Sequence, residues 1–249
     1  MIAFITGATA GFGTAIARRF VKEGSKVVAV GRRAERLDAL RAELGPALHP
    51  LTLDVTDREA VGRAVASLPP GFSEVDVLVN NAGLALGLEP AQSGRLDDWE
   101  AMVQTNINGA LYCTHALLPA MVARDRGHIV NLGSVAGEVP YPGGNIYGAT
   151  KAFLHQLSLN LRADLLGTKV RVTCVEPGLC GGTEFSEVRF KGDRERAAKV
   201  YQGTEPLLPE DIAETVFWVA SRPAHVNINV ISMMPVCQAF GPLAVKREA

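Results

Sequence analysis

The sequence predicts an α/β protein of one domain, with a doubly wound, mainly parallel sheet of seven strands and helices on both faces. Three observations carry that prediction. Short β-branched or apolar runs alternate with helical-period segments from the first residue, as consecutive βαβ units do. A glycine-rich turn joins the first run to the first helix. And 249 residues with 47% hydrophobic content supply one large core, with no Pro/Ser-rich linker or charge block to divide it.

The elements follow in order. Residues 2–6 form the first strand and residues 13–23 the first helix, with Ile16, Ala17, Phe20 and Val21 on one face and Gly24 as its stop. A strand at 26–30, a charged helix at 34–44, a strand at 48–53, a helix at 57–67 and a strand at 75–80 continue the rhythm. Helices at 96–106 and 108–124 precede a strand at 128–132, and a long helix at 147–166 leads to a strand at 170–176. A helix at 210–220 and a weaker strand at 230–233 complete the set. The polar stretch 178–203 is too long for a plain connection and reads as a substrate lid. Ligands of doubly wound sheets bind beyond the carboxyl ends of the strands, so functional residues are expected just after strands.

Composition narrows the partners. Lys+Arg at 25 against Asp+Glu at 26 leaves a net charge of -1 and no positive field for nucleic acid. Cys113, Cys174, Cys180 and Cys237 lack a C-x-x-C pair and read as small buried hydrophobes in a reducing compartment. The five histidines show no metal-ligand spacing, so no metal is expected. No apolar run has membrane length and no secretory segment precedes Gly7, so the expected location is the cytoplasm.

The first strand runs into Thr6-Gly7-Ala8-Thr9-Ala10-Gly11-Phe12-Gly13, glycines spaced for a tight turn that opens a helix. The free N–H groups and positive dipole end of that helix hold a pyrophosphate, the Rossmann arrangement for a dinucleotide. NAD-binding folds end the second strand on an acidic residue; here the chain reads Gly31-Arg32-Arg33. Two guanidiniums suit a 2′-phosphate, which favours NADP(H) over NAD. Farther on, Tyr147 and Lys151 stand one helical turn apart on one face. The ammonium is expected to stabilise phenolate and bring a phenol of pKa about 10 toward neutrality. Ser134, just past a strand, is placed to donate to a reacting oxygen.

The glycine motif, Asn80-Asn81-Ala82-Gly83, Asn106, Ser134, Tyr147 with Lys151, and Pro177-Gly178 together resemble the short-chain dehydrogenase/reductase family, in the family's order and over nearly the whole chain. The resemblance implies that Tyr147 is general acid/base, Lys151 also binds the nicotinamide ribose, Ser134 orients the carbonyl, and Asn106 holds a proton-relay water. Asn106 is preferred to Asn108 because Asn106-Ile107-Asn108-Gly109 matches the family's Asn-x-x-Gly. It further implies that Asp54 and Val55 flank the adenine, that Asn81, with Ala82 and Gly83, lies over the ribose, and that Pro177, Gly178, Leu179 and Thr183 line the nicotinamide. A homodimer or homotetramer is implied as well, although Met233-Met234-Pro235 stands where many members carry Gly-Gly. Phe153, Leu157, Leu159 and Leu161 wrap more of their helix than one buried stripe needs, which fits either a subunit contact or burial on two sides.

Narrower similarity runs through residues 176–193 and 225–229, which resemble the NADP-dependent 3-hydroxy acid dehydrogenases. That implies L-allo-threonine, L-serine or 3-hydroxypropionate/malonic semialdehyde as substrate. A short anion needs a cation in the pocket, and Arg189, Lys191 and Arg194 cluster in the lid segment, Arg189 first among them. The competing reading of that cluster is a solvated loop, since Asp193 and Glu195 lie among the cations. Two other functions share most of these residues: a broad carbonyl reductase of neutral ketones or aldehydes, and an NADP(H)-binding sensor without turnover. A tuned phenol argues against the sensor.

Overall fold

Strands that are apolar on both sides require a sheet covered on both faces. Five of the six residues of Lys26–Gly31 are buried, as are all four of Val77–Asn80. The computed structural model, which describes residues 1–241, meets that requirement. Its strands are β1 (Ile2–Thr6), β2 (Lys26–Gly31), β3 (Leu48–Thr52), β4 (Val77–Asn80), β5 (Gly127–Leu132), β6 (Val170–Pro177) and β7 (Val230–Met233). They form one sheet in the order β3-β2-β1-β4-β5-β6-β7, and every pairing is parallel. The order reverses between β1 and β4, which opens a crevice past their carboxyl ends.

Alternation along each strand feeds two cores. Ile5 of β1 points to one face, with Ile16, Phe20, Val79 and Ile212. Its neighbour Phe4 points to the other, with Val28, Leu78, Met121 and Ile129. The helices that cover these faces are α1 (Gly11–Lys22), α2 (Ala34–Leu44), α3 (Arg58–Ala66), α4 (Leu96–Val103), α5 (Gly109–Ala123), α6 (Asn145–Asp164) and α9 (Pro209–Ala220); two short ones, α7 (Phe185–Arg189) and α8 (Arg194–Lys199), lie within the stretch expected to be a lid. Among the described residues no helix is long and apolar enough to cross a membrane.

Three sequence expectations are corrected. The predicted break near residue 107 is a π turn, Gln104–Asn108, so α4 and α5 run on through it with helical backbone at Asn108 and Gly109. Cys113 and Cys174 are buried, but Cys237 is exposed, because it falls in the surface segment after β7. His155 meets carboxylates that no sequence spacing brings near it: its Nδ1 lies 2.7 Å from Oε1 of the buried Glu176 and 3.8 Å from Oε1 of Glu138. Burial pushes the Glu176 carboxyl above the usual carboxylate range, and the bond to His155 acts against that push.

Candidate active site

The site is built first on what glycine permits. Gly7 and Gly11 adopt left-handed backbone, with φ of 67° and 50°. A Cβ on Gly13 would stand 2.2 Å from the carbonyl oxygen of Gly7, and one on Gly31 2.4 Å from the Thr9 methyl. The turn therefore closes too tightly for any side chain, and it aims the start of α1 into the crevice. Thr6 then sews β1 to β4: its Oγ1 accepts from the backbone N–H of Asn81 at 3.0 Å and of Ala82 at 2.9 Å. The Asn81 amide returns a bond to the Thr6 carbonyl at 2.7 Å.

Over these strand ends lies a cavity of about 840 Å³. Every expected coenzyme position except Ala8 and Gly13 lines it, together with Ser134, Tyr147, Lys151 and Arg189. Ala8 is instead buried in the core and Gly13 is packed on Gly7, because the turn has an inner and an outer side that a motif does not distinguish. The left-handed glycine turn, the half-buried helix start that lines the cavity and the cationic end of β2 together fit a phosphorylated dinucleotide.

The two arginines at the end of β2 divide their work. Arg32 is 73% exposed and its only ionic neighbour among the described residues is Asp54, at 3.8 Å. Arg33 is already engaged: Nε and Nη2 donate to Thr9 Oγ1 at 3.2 and 2.9 Å, and Nη1 donates to Glu184 Oε2 at 2.8 Å. Both line the cavity, but Arg33 commits most of its five N–H groups to the glycine turn and to Glu184, which leaves Arg32 the freer of the two.

Tyr147 and Lys151 stand on the first turns of α6, both buried. Lys151 Nζ donates to the Leu132 carbonyl at 2.7 Å and lies 5.7 Å from the centre of the Tyr147 ring. Burial pulls the ammonium down to about 8 and pushes the phenol up from its ordinary value. The facing Ser134 hydroxyl and the Arg189 guanidinium oppose that upward push. Lys151 does not lower the phenol as the helical spacing led us to expect: desolvation dominates and the ammonium is not among the groups that bear on it, so the chain alone keeps Tyr147 protonated. Ser134, just past β5, is held by Ala136 N–H, which donates to its Oγ at 3.1 Å, while its own hydroxyl donates to Pro177 O at 3.2 Å.

Asn106 does not line the cavity. Its amide donates to Leu84 O and to Thr150 Oγ1, both at 2.9 Å, and accepts from Leu84 N–H at 2.9 Å. Both donors are thus committed to binding the π turn to α6 and to the segment after β4. Of the three lid cations, Arg189 alone reaches the cavity. Lys191 pairs with Asp98 at 2.7 Å and Arg194 with Glu187 at 3.6 Å, outside it. Arg189 donates to Gly87 O at 3.0 Å and to the Tyr141 hydroxyl at 2.8 Å, lies 5.7 Å from the Tyr147 ring centre, and has no carboxylate partner within 4.0 Å among the described residues.

Sequence reasoning missed Tyr141 and Gln238, whose Oε1 accepts from Leu179 N–H at 2.7 Å. Tyr141 carried a usable signal, an aromatic between Pro140 and Pro142. Gln238 carried none.

The family model described as short chain dehydrogenase matches residues 1–193, and the chain belongs to that family. Among curated relatives, the NADP-dependent 3-hydroxy acid dehydrogenase YdfG of Salmonella typhi is 62% identical over 248 residues, covering 100% of both chains. Serine 3-dehydrogenase of Agrobacterium fabrum is 56% identical over 245 residues, 98% of both. Among solved structures, the closed form of serine dehydrogenase complexed with NADP+ superposes with a TM-score of 0.98 at 58% identity, covering all of both chains.

Proposed function

We propose that this chain is an NADP(H)-dependent oxidoreductase that interconverts the 3-hydroxyl of a short 3-hydroxy acid, such as L-serine, L-allo-threonine or 3-hydroxypropionate, with the corresponding carbonyl. The relatives named for this activity and for serine support it. The observation that carries it to these residues is Arg189, a guanidinium without an acid partner among the described residues, in the cavity beside Tyr147. The guanidinium is half-buried and its other partners are neutral oxygens, so a substrate carboxylate supplies the missing charge through a charge-assisted bond.

When bound, the coenzyme accepts or supplies the hydride. The chain does the rest. Ser134 Oγ holds the substrate oxygen; in the oxidative direction Tyr147 Oη takes the hydroxyl proton as C–H cleavage turns the carbinol into a carbonyl. In reduction it returns that proton. Lys151, whose ammonium donates to Leu132 O, holds the coenzyme ribose. Arg32 is the ligand of the 2′-phosphate, with Asp54 and Val55 beside the adenine, Asn81 by the ribose, and Pro177, Gly178, Leu179 and Thr183 around the nicotinamide. Segment 178–203 is the substrate lid. Half-buried Phe153, Leu157, Leu159 and Leu161 leave surface on α6 for a second chain, in keeping with a dimer or tetramer in the cytoplasm.

A turnover screen tests the activity. NADP⁺ with L-serine, L-allo-threonine and 3-hydroxypropionate is expected to give kcat/KM at least about tenfold above NAD⁺, one charge-assisted contact's worth. Neutral alcohols of the same length are expected to fall below the acids. Equal rates on acids and alcohols would favour a general carbonyl reductase.

A further inference from the structure

Glu184 makes no hydrogen bond to Ser134, Tyr147 or Lys151, yet it ties three parts of the molecule together. Its Oε2 accepts from Arg33 Nη1 at 2.8 Å and its Oε1 from Arg36 Nη1 at 2.7 Å. Arg33 sits at the N-cap of α2 and also grips Thr9 of the glycine turn. Arg36 lies in the first turn of the same helix and reaches the Thr9 carbonyl at 3.4 Å. One carboxylate therefore clamps both arginines, and through them the coenzyme side of the cavity, to the segment that carries α7. The two guanidiniums hold the Glu184 carboxyl below the usual carboxylate range.

Glu184 is the N-cap residue of α7, and Arg189 is that helix's last residue. Helix α7 is a single short rod, so the position of one end dictates the position of the other. At the Glu184 end the rod is held by α2; at the Arg189 end the guanidinium meets Gly87, Tyr141 and the ring of Tyr147. Phe185, between them, packs at a tilt against the Tyr147 ring with centres 5.6 Å apart.

We infer that Glu184 is a positioning residue for substrate recognition: by anchoring α7 to Arg33 and Arg36 beside the coenzyme's 2′-phosphate site, it sets the guanidinium of Arg189 over the reacting centre and keeps the lid closed. The inference rests on the proposed role of Arg189 toward a substrate carboxylate. It assigns the adenosine end of the coenzyme site a part in substrate affinity that no direct contact supplies. Arg36 belongs to the latch, since it shares the carboxylate while standing outside the cavity wall.

The test uses the full-length protein with saturating NADP⁺ and the variants Glu184→Gln, Arg36→Gln and the double variant. Two readouts are followed: the KM for L-serine, and the rate of tryptic cleavage within residues 189–199, where Arg189, Lys191, Arg194, Arg196 and Lys199 offer sites. Half-exposed ion pairs are modest, so each single variant is expected to raise KM about fivefold with kcat held, and to speed cleavage by a similar factor. The double variant is expected to be no worse than Glu184→Gln alone, because both remove one clamp. Wild-type cleavage rates in Glu184→Gln, or effects of the two substitutions that simply multiply, would overturn the latch. Faster cleavage with an unchanged KM would overturn the link to Arg189. Failure of the carboxylate reading itself shows up elsewhere, as an Arg189→Gln variant whose KM for L-serine is that of the wild type while Glu184→Gln still loosens the lid.

Discussion

Tyr147→Phe is expected to lower kcat by about 10²- to 10⁴-fold, the contribution of a positioned acid/base group, while leaving NADPH affinity close to that of the parent. The substitution removes one oxygen and keeps the ring, whose packing on Phe185 at 5.6 Å between centres does not involve the hydroxyl. The fold should therefore hold, and thermal unfolding checks it. The pH dependence has a definite sign. Burial raises the phenol above its ordinary value, so the protonated form dominates at neutral pH. Oxidation needs the deprotonated form and rises with pH; reduction needs the protonated form and is sustained to higher pH. Both limbs should vanish in the Phe variant. The Lys151 ammonium, drawn down to about 8, loses its charge over the upper part of that range, which weakens its hold on the coenzyme ribose there. Steady-state rates across pH, together with a fluorescence titration of NADPH, measure all of this. A Phe variant that turns over at the parental rate would remove Tyr147 from the chemistry.

Arg189→Gln is the second large effect. Losing a charge-assisted bond to a carboxylate costs about 1.5–3 kcal/mol, so the KM for L-serine or 3-hydroxypropionate is expected to rise by about ten- to a hundredfold. Neutral alcohols should be unaffected or improve, since the same change removes an unpaired cation from their pocket. The Gln amide nitrogen stands as many bonds from the backbone as the Arg189 Nε that donates to Gly87 O, so that bond can be kept, which limits damage to α7, while the one from Nη2 to the Tyr141 hydroxyl is lost. Should the KM for acids and alcohols shift together, Arg189 would be a structural prop for Tyr141 and nothing more.

What sequence reading reached, and what it did not, follows from the range of the interactions involved. The glycine turn was readable because left-handed φ at Gly7 and Gly11 and the near-contact at Gly13 admit one residue type, so the conformation is written directly into the chain. Tyr147 and Lys151 were readable because a helix makes their spacing local. Their electrostatics were not, because desolvation depends on what covers the first turn of α6, and residues from several elements do. Arg189 stands out in the lid by its apolar neighbours Val188 and Phe190, but its partners Gly87 and Tyr141 are distant in sequence. The same holds for Glu184, whose two arginines lie 151 and 148 residues away. Asn106 was located by its motif, yet the π turn that commits its amide to Leu84 and Thr150 breaks helical periodicity and so looked like a boundary. A buried polar chain from Asn80 through Asn131 to Ser158, with bonds of 2.8 Å, went unread for the same reason: its members are on three different elements.

The central claim is hydride transfer from C3 of a short hydroxy acid, with the proton going to Tyr147. L-Serine with both β-hydrogens replaced by deuterium, incubated with the enzyme and NADP⁺, tests it most directly by mass analysis of the reduced coenzyme. The account predicts one deuterium in each NADPH formed. NADPH without deuterium from such a substrate, or a deuterium lost to solvent, would contradict it.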